Sequence, residues 1–313
     1  MELRNLGRSG LRVSVVGLGC NNFGGRIDLA ATRRVVDRAI DAGITLFDTA
    51  DVYGNRGGSE TLLGEVLGTR RQDIVLATKF GMPMNDAGTL QGGSRRYIMQ
   101  AVEASLSRLK TDWIDLYQLH RPDPLTPMEE TLRALDDLVR QGKVRYIGCS
   151  NVDAWQVADA AWIARHHGLA PFVSAQNEYS LLVREDSAPL LPALDAFGVG
   201  LLPYFPLAGG LLTGKYRRGE PLPPGRFVTT KPSADRFLTE RNWTLMERLR
   251  EVAEARGRTL IELAFGWLAS HPAVSSVIAG ATTPEQIDAN VAAGSWQMSA
   301  DDRAAVEAVL DAA

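Results

Sequence analysis

Residues 114–150 read IDLYQLHRPDPLTPMEETLRALDDLVRQGKVRYIGCS. An apolar run at 114–120 gives way to turn residues, then to an amphipathic stretch at 127–140, then to a second apolar run at 144–150. Both runs are continuous rather than alternating, which suits strands buried on two faces in a parallel sheet. Thr126-Pro127 predicts a helix start, with Thr126 as the cap and Pro127 at the first helical position. Strand, helix and strand within this span make one βαβ unit of roughly 30 residues.

The same rhythm extends in both directions. VSVVGLG (13–19), ITLFD (44–48), DIVLATK (73–79), FVSAQ (172–176), GVGLLPY (198–204) and VSSVIAG (274–280) are further buried-strand patterns. Helical patterns lie between them at 29–42, 59–67, 97–109, 153–167 and 187–197. Eight such units with no break in composition predict one closed (β/α)8 TIM barrel rather than a doubly wound sheet, as a single domain over 1–313. Ahead of the barrel, LRNL and LRVS flank Gly7-Arg8-Ser9-Gly10, an N-terminal β-hairpin. The spacing breaks once, after strand 7. The stretch beyond Tyr204 carries the Gly/Pro-rich GGLLTGKYRRGEPLPPGRFVTTKPS and helices around 243–256 and 260–270, a long loop and helix insertion. Thr283-Pro284 starts a helix, and Ser299 caps a last one.

Composition sets bounds on function. The chain has 313 residues, 45% hydrophobic and 23% charged, with a net charge of −3. It is globular and carries no basic balance that would favour nucleic acid. Two cysteines make no disulfide framework and no CxxC metal pair. No apolar run approaches the roughly 18 residues that cross a bilayer, and the N-terminus lacks the apolar core of a signal peptide. The expected setting is cytoplasmic, with no membrane and no metal.

Asp48, Lys79, His120, Ser150 and Gln176 each end a different apolar run, and in a barrel those ends share one mouth. Taken singly, each has an ordinary explanation: a turn former, a solvated lysine, a packed histidine. Their common register argues for a shared pocket. Only five of the 34 basic residues are lysines, so Lys79 within an apolar run is informative. Tyr53 follows Asp48 in DTADVYGNRGGSE, either as an aromatic plug or as a phenol beside Lys79. A free phenol has a pKa of about 10, and an ammonium next to it lowers that value.

These residues bring a family into view. FDTADVYG, the Lys79 strand, LYQLHRPDP, GCSN, SAQNEYSLL, YFPLAGGLLTGKY and VIAGATTPEQIDAN resemble the aldo-keto reductase superfamily, in order and along essentially the whole chain. Within it, the chain looks like the branch that holds potassium channel β subunits and bacterial reductases. The resemblance implies a catalytic tetrad of Asp48, Tyr53, Lys79 and His120, with NADPH (NADH as the lesser possibility) bound across the mouth. It implies carboxamide contacts at Ser150, Asn151 and Gln176, and a ring-stacking aromatic at Tyr204. A pyrophosphate cradle falls on Phe205, Pro206, Leu207 and Gly209, and basic contacts fall on Lys215 and Arg226. Gly280, Thr282, Gln286 and Asn290 match the adenosine end, and Gly19, Cys20, Asn21 and Asp48 also meet the cofactor. One branch carries basic residues where this chain has Gly280 and Gln286, and the channel branch an acid where it has Ala289.

Other oxidoreductase and hydrolase signatures fit less well. GLGCNN is a dinucleotide fingerprint without its third glycine. Tyr53 and Lys79 are too far apart for the four-residue spacing of short-chain dehydrogenases. Four histidines are few for a barrel metallohydrolase. The reading is NAD(P)H-dependent reduction of an aldehyde or ketone to an alcohol, with Tyr53 as proton donor. The alternative is an NADPH-binding redox sensor or regulatory subunit with weak reductase activity. Loops around Phe23, 80–92 and 121–125 would shape the substrate pocket.

Overall fold

The computed structural model describes residues 1–185, 187–222 and 231–312. β1 (Leu3–Asn5) and β2 (Arg12–Ser14) pair antiparallel, with Leu3 opposite Ser14. Eight strands follow: β3 (Val16–Gly19), β4 (Leu46–Asp48), β5 (Val75–Phe80), β6 (Ile114–Leu119), β7 (Val144–Ser150), β8 (Phe172–Gln176), β9 (Gly200–Leu201) and β10 (Val277–Gly280). They lie in the order β10-β3-β4-β5-β6-β7-β8-β9, every neighbouring pair parallel. The two ends of that order meet. Leu201 N–H donates to the Ala273 carbonyl at 2.7 Å, Ser275 N–H to Leu201 at 3.0 Å, and Ile278 N–H to Pro203 at 3.1 Å. The fold is the expected (β/α)8 barrel with an N-terminal hairpin.

The connecting helices are α1 (Leu29–Asp41), α2 (Tyr53–Leu67), α3 (Arg95–Leu109), α4 (Met128–Arg140), α5 (Ala154–His167) and α6 (Leu190–Phe197). After β9 come α7 (Lys231–Phe237), α8 (Glu240–Glu254) and α9 (Leu260–Ala269), then α10 (Pro284–Gly294) and α11 (Ala300–Asp311). Among the described residues, no helix is long and apolar enough to cross a membrane.

Apolar side chains separate into two layers. The larger cluster fills the space between strands and helices. A smaller one joins Leu46, Ala77, Leu116, Leu202 and Ile278 inside the barrel to Leu6 and Val13 of the hairpin. The hairpin therefore plugs one end of the barrel. Successive inward residues on a strand are two apart. Two positions beyond Leu46, Ala77 and Leu116 stand Asp48, Lys79 and Gln118, so a polar layer sits directly above an apolar one.

Several predicted boundaries shift for visible reasons. Pro127, not Thr126, is the cap of α4, with ψ of 137°, and the helix starts at Met128. Thr126 instead donates its hydroxyl to Asp123, whose carboxylate also collects the N–H groups of Gly93 and Leu125. The helix predicted from 187 begins at Leu190, because the Ser187 hydroxyl is spent on the Glu178 carbonyl at 2.7 Å. Strand 7 was expected to run to Tyr204 but ends at Leu201, where Pro203 removes a donor. Helix α7 in the insertion was not foreseen. Ser299 and Thr283-Pro284 cap their helices as expected.

Helix α2 carries Tyr53 and is seated on α3 through Gly64. A Cβ there would overlap the Arg108 carbonyl oxygen and stand 2.8 Å from the carbonyl carbon of Leu109. Backbone cannot move aside as a side chain does. Gly64→Ala is expected to destabilise the protein by about 1–3 kcal/mol. Chemical denaturation checks it, and an unchanged midpoint would show that the two helices can separate freely.

Candidate active site

The β4, β5 and β6 ends meet around one buried ion pair. Lys79 Nζ donates to Asp48 Oδ2 at 2.6 Å and to the Thr49 carbonyl at 2.9 Å, with the Lys79 side chain fully buried. Its third neighbour is the Tyr53 hydroxyl at 3.4 Å, and the ammonium lies 4.9 Å from the Tyr53 ring centroid. The other Asp48 oxygen accepts from Gln118 Nε2 at 3.0 Å and Gln176 Nε2 at 2.9 Å. Each carboxylate oxygen is thus occupied by a protein donor. Burial alone would lower the Lys79 pKa, but Asp48 and Tyr53 outweigh it and leave the ammonium above its ordinary value.

Tyr53 departs from the sequence-based expectation. Lys79 does pull the phenol down, but burial outweighs it and Asp48 adds to the rise, so its pKa lies above the ordinary value. The phenol therefore keeps its proton at neutral pH. His120 packs edge-on to the Tyr53 ring, centroids 5.6 Å apart. Its Nδ1 is buried without a hydrogen-bond partner. Burial first, then Lys79 and Arg121, push its pKa down to about 3, so the ring is neutral. The site thus presents one neutral phenol, one neutral imidazole and one locked ion pair.

Beside this centre is a rim of neutral polar groups. Ser150 donates to the Gln176 carbonyl at 2.7 Å. Asn151 Nδ2 donates to the His120 carbonyl and to Ser150 Oγ, each at 3.0 Å. Tyr204 donates its hydroxyl to Asn151 Oδ1 at 2.8 Å, which fixes the tilt of its ring. Past it the backbone turns through positive φ at Phe205, Ala208, Gly209 and Gly210. Pro206 and Leu207 lie within that turn. Lys215 is exposed and pairs with no acidic side chain among the described residues.

The remaining predicted residues scatter around the same mouth. Gly19 of β3 is in register with Gly280 of β10, and Asn21 Oδ1 comes within 3.4 Å of where a Gly280 Cβ would stand. Cys20 is buried, and its thiol is pushed well up by burial and by Asp48, which leaves it unreactive. Gln286 folds back on Thr282, accepting from its N–H at 2.7 Å, and Asn290 is buried one turn further along α10. Arg226 lies outside the described residues.

One supporting feature escaped the sequence reading. Gln118 holds Asp48, and its signal was available: it stands two before His120 along the same strand direction. The chain turns tightly after Tyr53, as its glycines imply. Gly54, Asn55, Arg56 and Gly57 all have positive φ, a left-handed turn at the entry to α2. A Cβ at Gly54 would stand 2.5 Å from the Phe23 carbonyl oxygen, so the loops after β3 and β4 touch backbone to backbone.

One barrel mouth thus holds a lysine–aspartate pair, a protonated tyrosine and a neutral histidine. The family model for the aldo/keto reductase family matches residues 15–311. Two proteins described as probable voltage-gated potassium channel subunit beta are similar to this chain, one from Oryza sativa subsp. japonica and one from Arabidopsis thaliana. Each is 38% identical over 303 residues, which is 94% of this chain and 91% of the relative. The chain belongs to the aldo/keto reductase family.

Neutrality of His120 is open to direct test. Its ring proton signals in NMR are expected to hold still between pH 5 and 8. The same shift makes His120 a source of acid lability. The unfolded imidazole takes a proton near pH 6.5 and the folded one near 3, so stability is full above about 6.5 and falls as pH drops toward 3. A ring that titrates near 6.5 in the folded protein would contradict its burial.

Proposed function

We propose that this protein is an NADPH-dependent reductase of aldehydes or ketones. The observation that carries the reading is Lys79 Nζ set between Asp48 at 2.6 Å and the Tyr53 hydroxyl at 3.4 Å. When bound, a reduced nicotinamide supplies a hydride to the carbonyl carbon. Tyr53 gives its phenolic proton to the carbonyl oxygen. The Lys79 ammonium stabilises the phenolate left behind, and Asp48 holds that ammonium charged and in place. His120, being neutral, donates a hydrogen bond toward the same oxygen and orients it. The family membership and the common mouth of these four residues support the assignment.

The chemistry of the rim fits a nicotinamide dinucleotide. Ser150, Asn151 and Gln176 offer the donors and acceptors that a carboxamide needs, beside the flat face of Tyr204. The backbone takes positive φ at Phe205, Ala208 and Gly209, a conformation that suits an anion-binding nest. Lys215 is exposed and pairs with no acidic side chain among the described residues, so its charge suits a phosphate. Thr282 and Gln286 flank the start of α10 and Asn290 lies one turn further along, where the positive end of the helix dipole favours negative charge. A cytoplasmic, reducing setting suits the two buried free thiols, Cys20 and Cys149.

A second reading draws on the relatives described as channel β subunits: an NADPH-binding regulatory subunit that turns over slowly. Turnover separates the two. Under the reductase reading, Tyr53→Phe lowers kcat by at least about 10²-fold in an NADPH oxidation assay with a simple aldehyde. A near-native kcat in that variant would remove Tyr53 from the chemistry. Fluorescence titration is expected to show NADPH binding at least about tenfold more tightly than NADH, the scale of one charge-assisted contact to the 2′-phosphate. Equal affinities would reject the cofactor assignment.

A further inference from the structure

Behind the Tyr53–Lys79 pair lies a second buried acid that the proposed chemistry does not use. Asp51 stands between Asp48 and Tyr53 on the same loop and is only 1% exposed. Its N–H donates to the Lys79 carbonyl at 3.1 Å, so it pins that loop to β5 at the residue bearing the ammonium. Its Oδ2 accepts from the Tyr97 hydroxyl of α3 at 3.4 Å, and its Oδ1 is buried with no partner.

The surroundings hold too many acids for the available cation. Glu60 of α2 is fully buried, and it takes the Arg108 guanidinium of α3 at 2.7 Å and the Thr78 hydroxyl of β5 at 2.6 Å. From β6, the Tyr117 hydroxyl faces the group, buried and without a partner. Lys79 is already committed to Asp48. The Arg108 guanidinium is near both carboxyl groups, and of the two it touches Glu60. Glu60 makes the direct contact, so ionising both would leave one charge uncompensated in a dry interior. Such a charge is costly enough that a proton is normally retained.

We infer that Asp51 is a positioning residue for the Tyr53–Lys79 pair, holding a buried proton beside the Glu60–Arg108 pair, and that release of this proton to solvent weakens Tyr53 as an acid. The inference rests on the reductase reading for its effect on rate, but the buried proton stands apart from it. Burial, then the neighbouring Glu60, raise the Asp51 carboxyl to about 7. Its ionisation adds negative charge two residues from Tyr53, which raises the phenol further and slows proton donation.

The sign of the stability effect follows from the raised value. The unfolded carboxyl ionises near its ordinary value of about 3.9, whereas the folded one keeps its proton to about 7. The native state therefore loses stability as pH rises from about 4 to about 7, and an amide at this position does not suffer that loss.

The test uses the full chain from pH 5 to 9, as wild type, Asp51→Asn and Glu60→Gln. Thermal unfolding midpoints and kcat/KM for NADPH-driven reduction of 4-nitrobenzaldehyde are both read. The Asn variant is expected to gain in midpoint over wild type as pH rises from 5 to 7, then to level off. Wild-type kcat/KM is expected to fall about threefold or more through neutral pH, and this inflection to vanish in Asp51→Asn. Glu60→Gln frees Arg108 for Asp51 and moves the inflection to lower pH, a check that survives if the Asn variant does not fold. A midpoint difference that is constant with pH shows a merely structural Asp51 and overturns the inference, as does an unchanged inflection in the Asn variant. If wild type reduces no aldehyde, the reductase reading fails, while the midpoints still decide whether the proton is there.

Discussion

A charged lysine and a charged aspartate, both out of water at the end of a barrel, set the terms for everything around them. Desolvating two such ions costs several kcal/mol each, and their attraction repays this only with good geometry and with every remaining lone pair filled. The protein meets that condition by spending neutral groups on the pair: Gln118 and Gln176 on one Asp48 oxygen, Lys79 on the other, and the Thr49 carbonyl on the ammonium. Losing one partner of such a pair typically costs about 3–5 kcal/mol, so the pair also fixes the spacing of β4, β5, β6 and β8.

The same dryness decides protonation across the site. It lifts the Tyr53 phenol, depresses His120 and leaves both neutral. Two neutral groups beside one locked cation can hand a proton to a polar bond without first having to gain or lose charge. The buried Glu60 repeats the theme nearby, met by the Arg108 guanidinium and the Thr78 hydroxyl.

Backbone strain gathers at the mouth. Of the non-glycine residues with positive φ, Asn55, Arg56, Asn151, Phe205 and Ala208 all lie on loops at this end of the barrel, and Lys110 is a helix end. Such conformations cost roughly 1–3 kcal/mol each and persist only where packing enforces them. Here the enforcing contacts are visible: Gly54 against the Phe23 carbonyl, and the Asn151 side chain tied to His120, Ser150 and Tyr204. Rigid strand ends carry the charges, and strained loops bring the aromatic rings to them.

Much of this was legible in the chain. Continuous apolar runs ending in Asp48, Lys79, His120, Ser150 and Gln176 determined the parallel barrel and the common mouth, because a strand's period of two and its direction are local properties. The Ser299 cap was legible for the same reason, since its partner Asp302 lies a few residues away. The tertiary structure alone decided which hydroxyl won a competition: Thr126 left its helix for Asp123, and Ser187 for Glu178. It alone decided that the hairpin plugs the barrel and that Gln118 holds Asp48. It also reversed the direction expected for Tyr53, because an adjacent lysine can be read from sequence, whereas the amount of water removed from the phenol depends on every element packed around it.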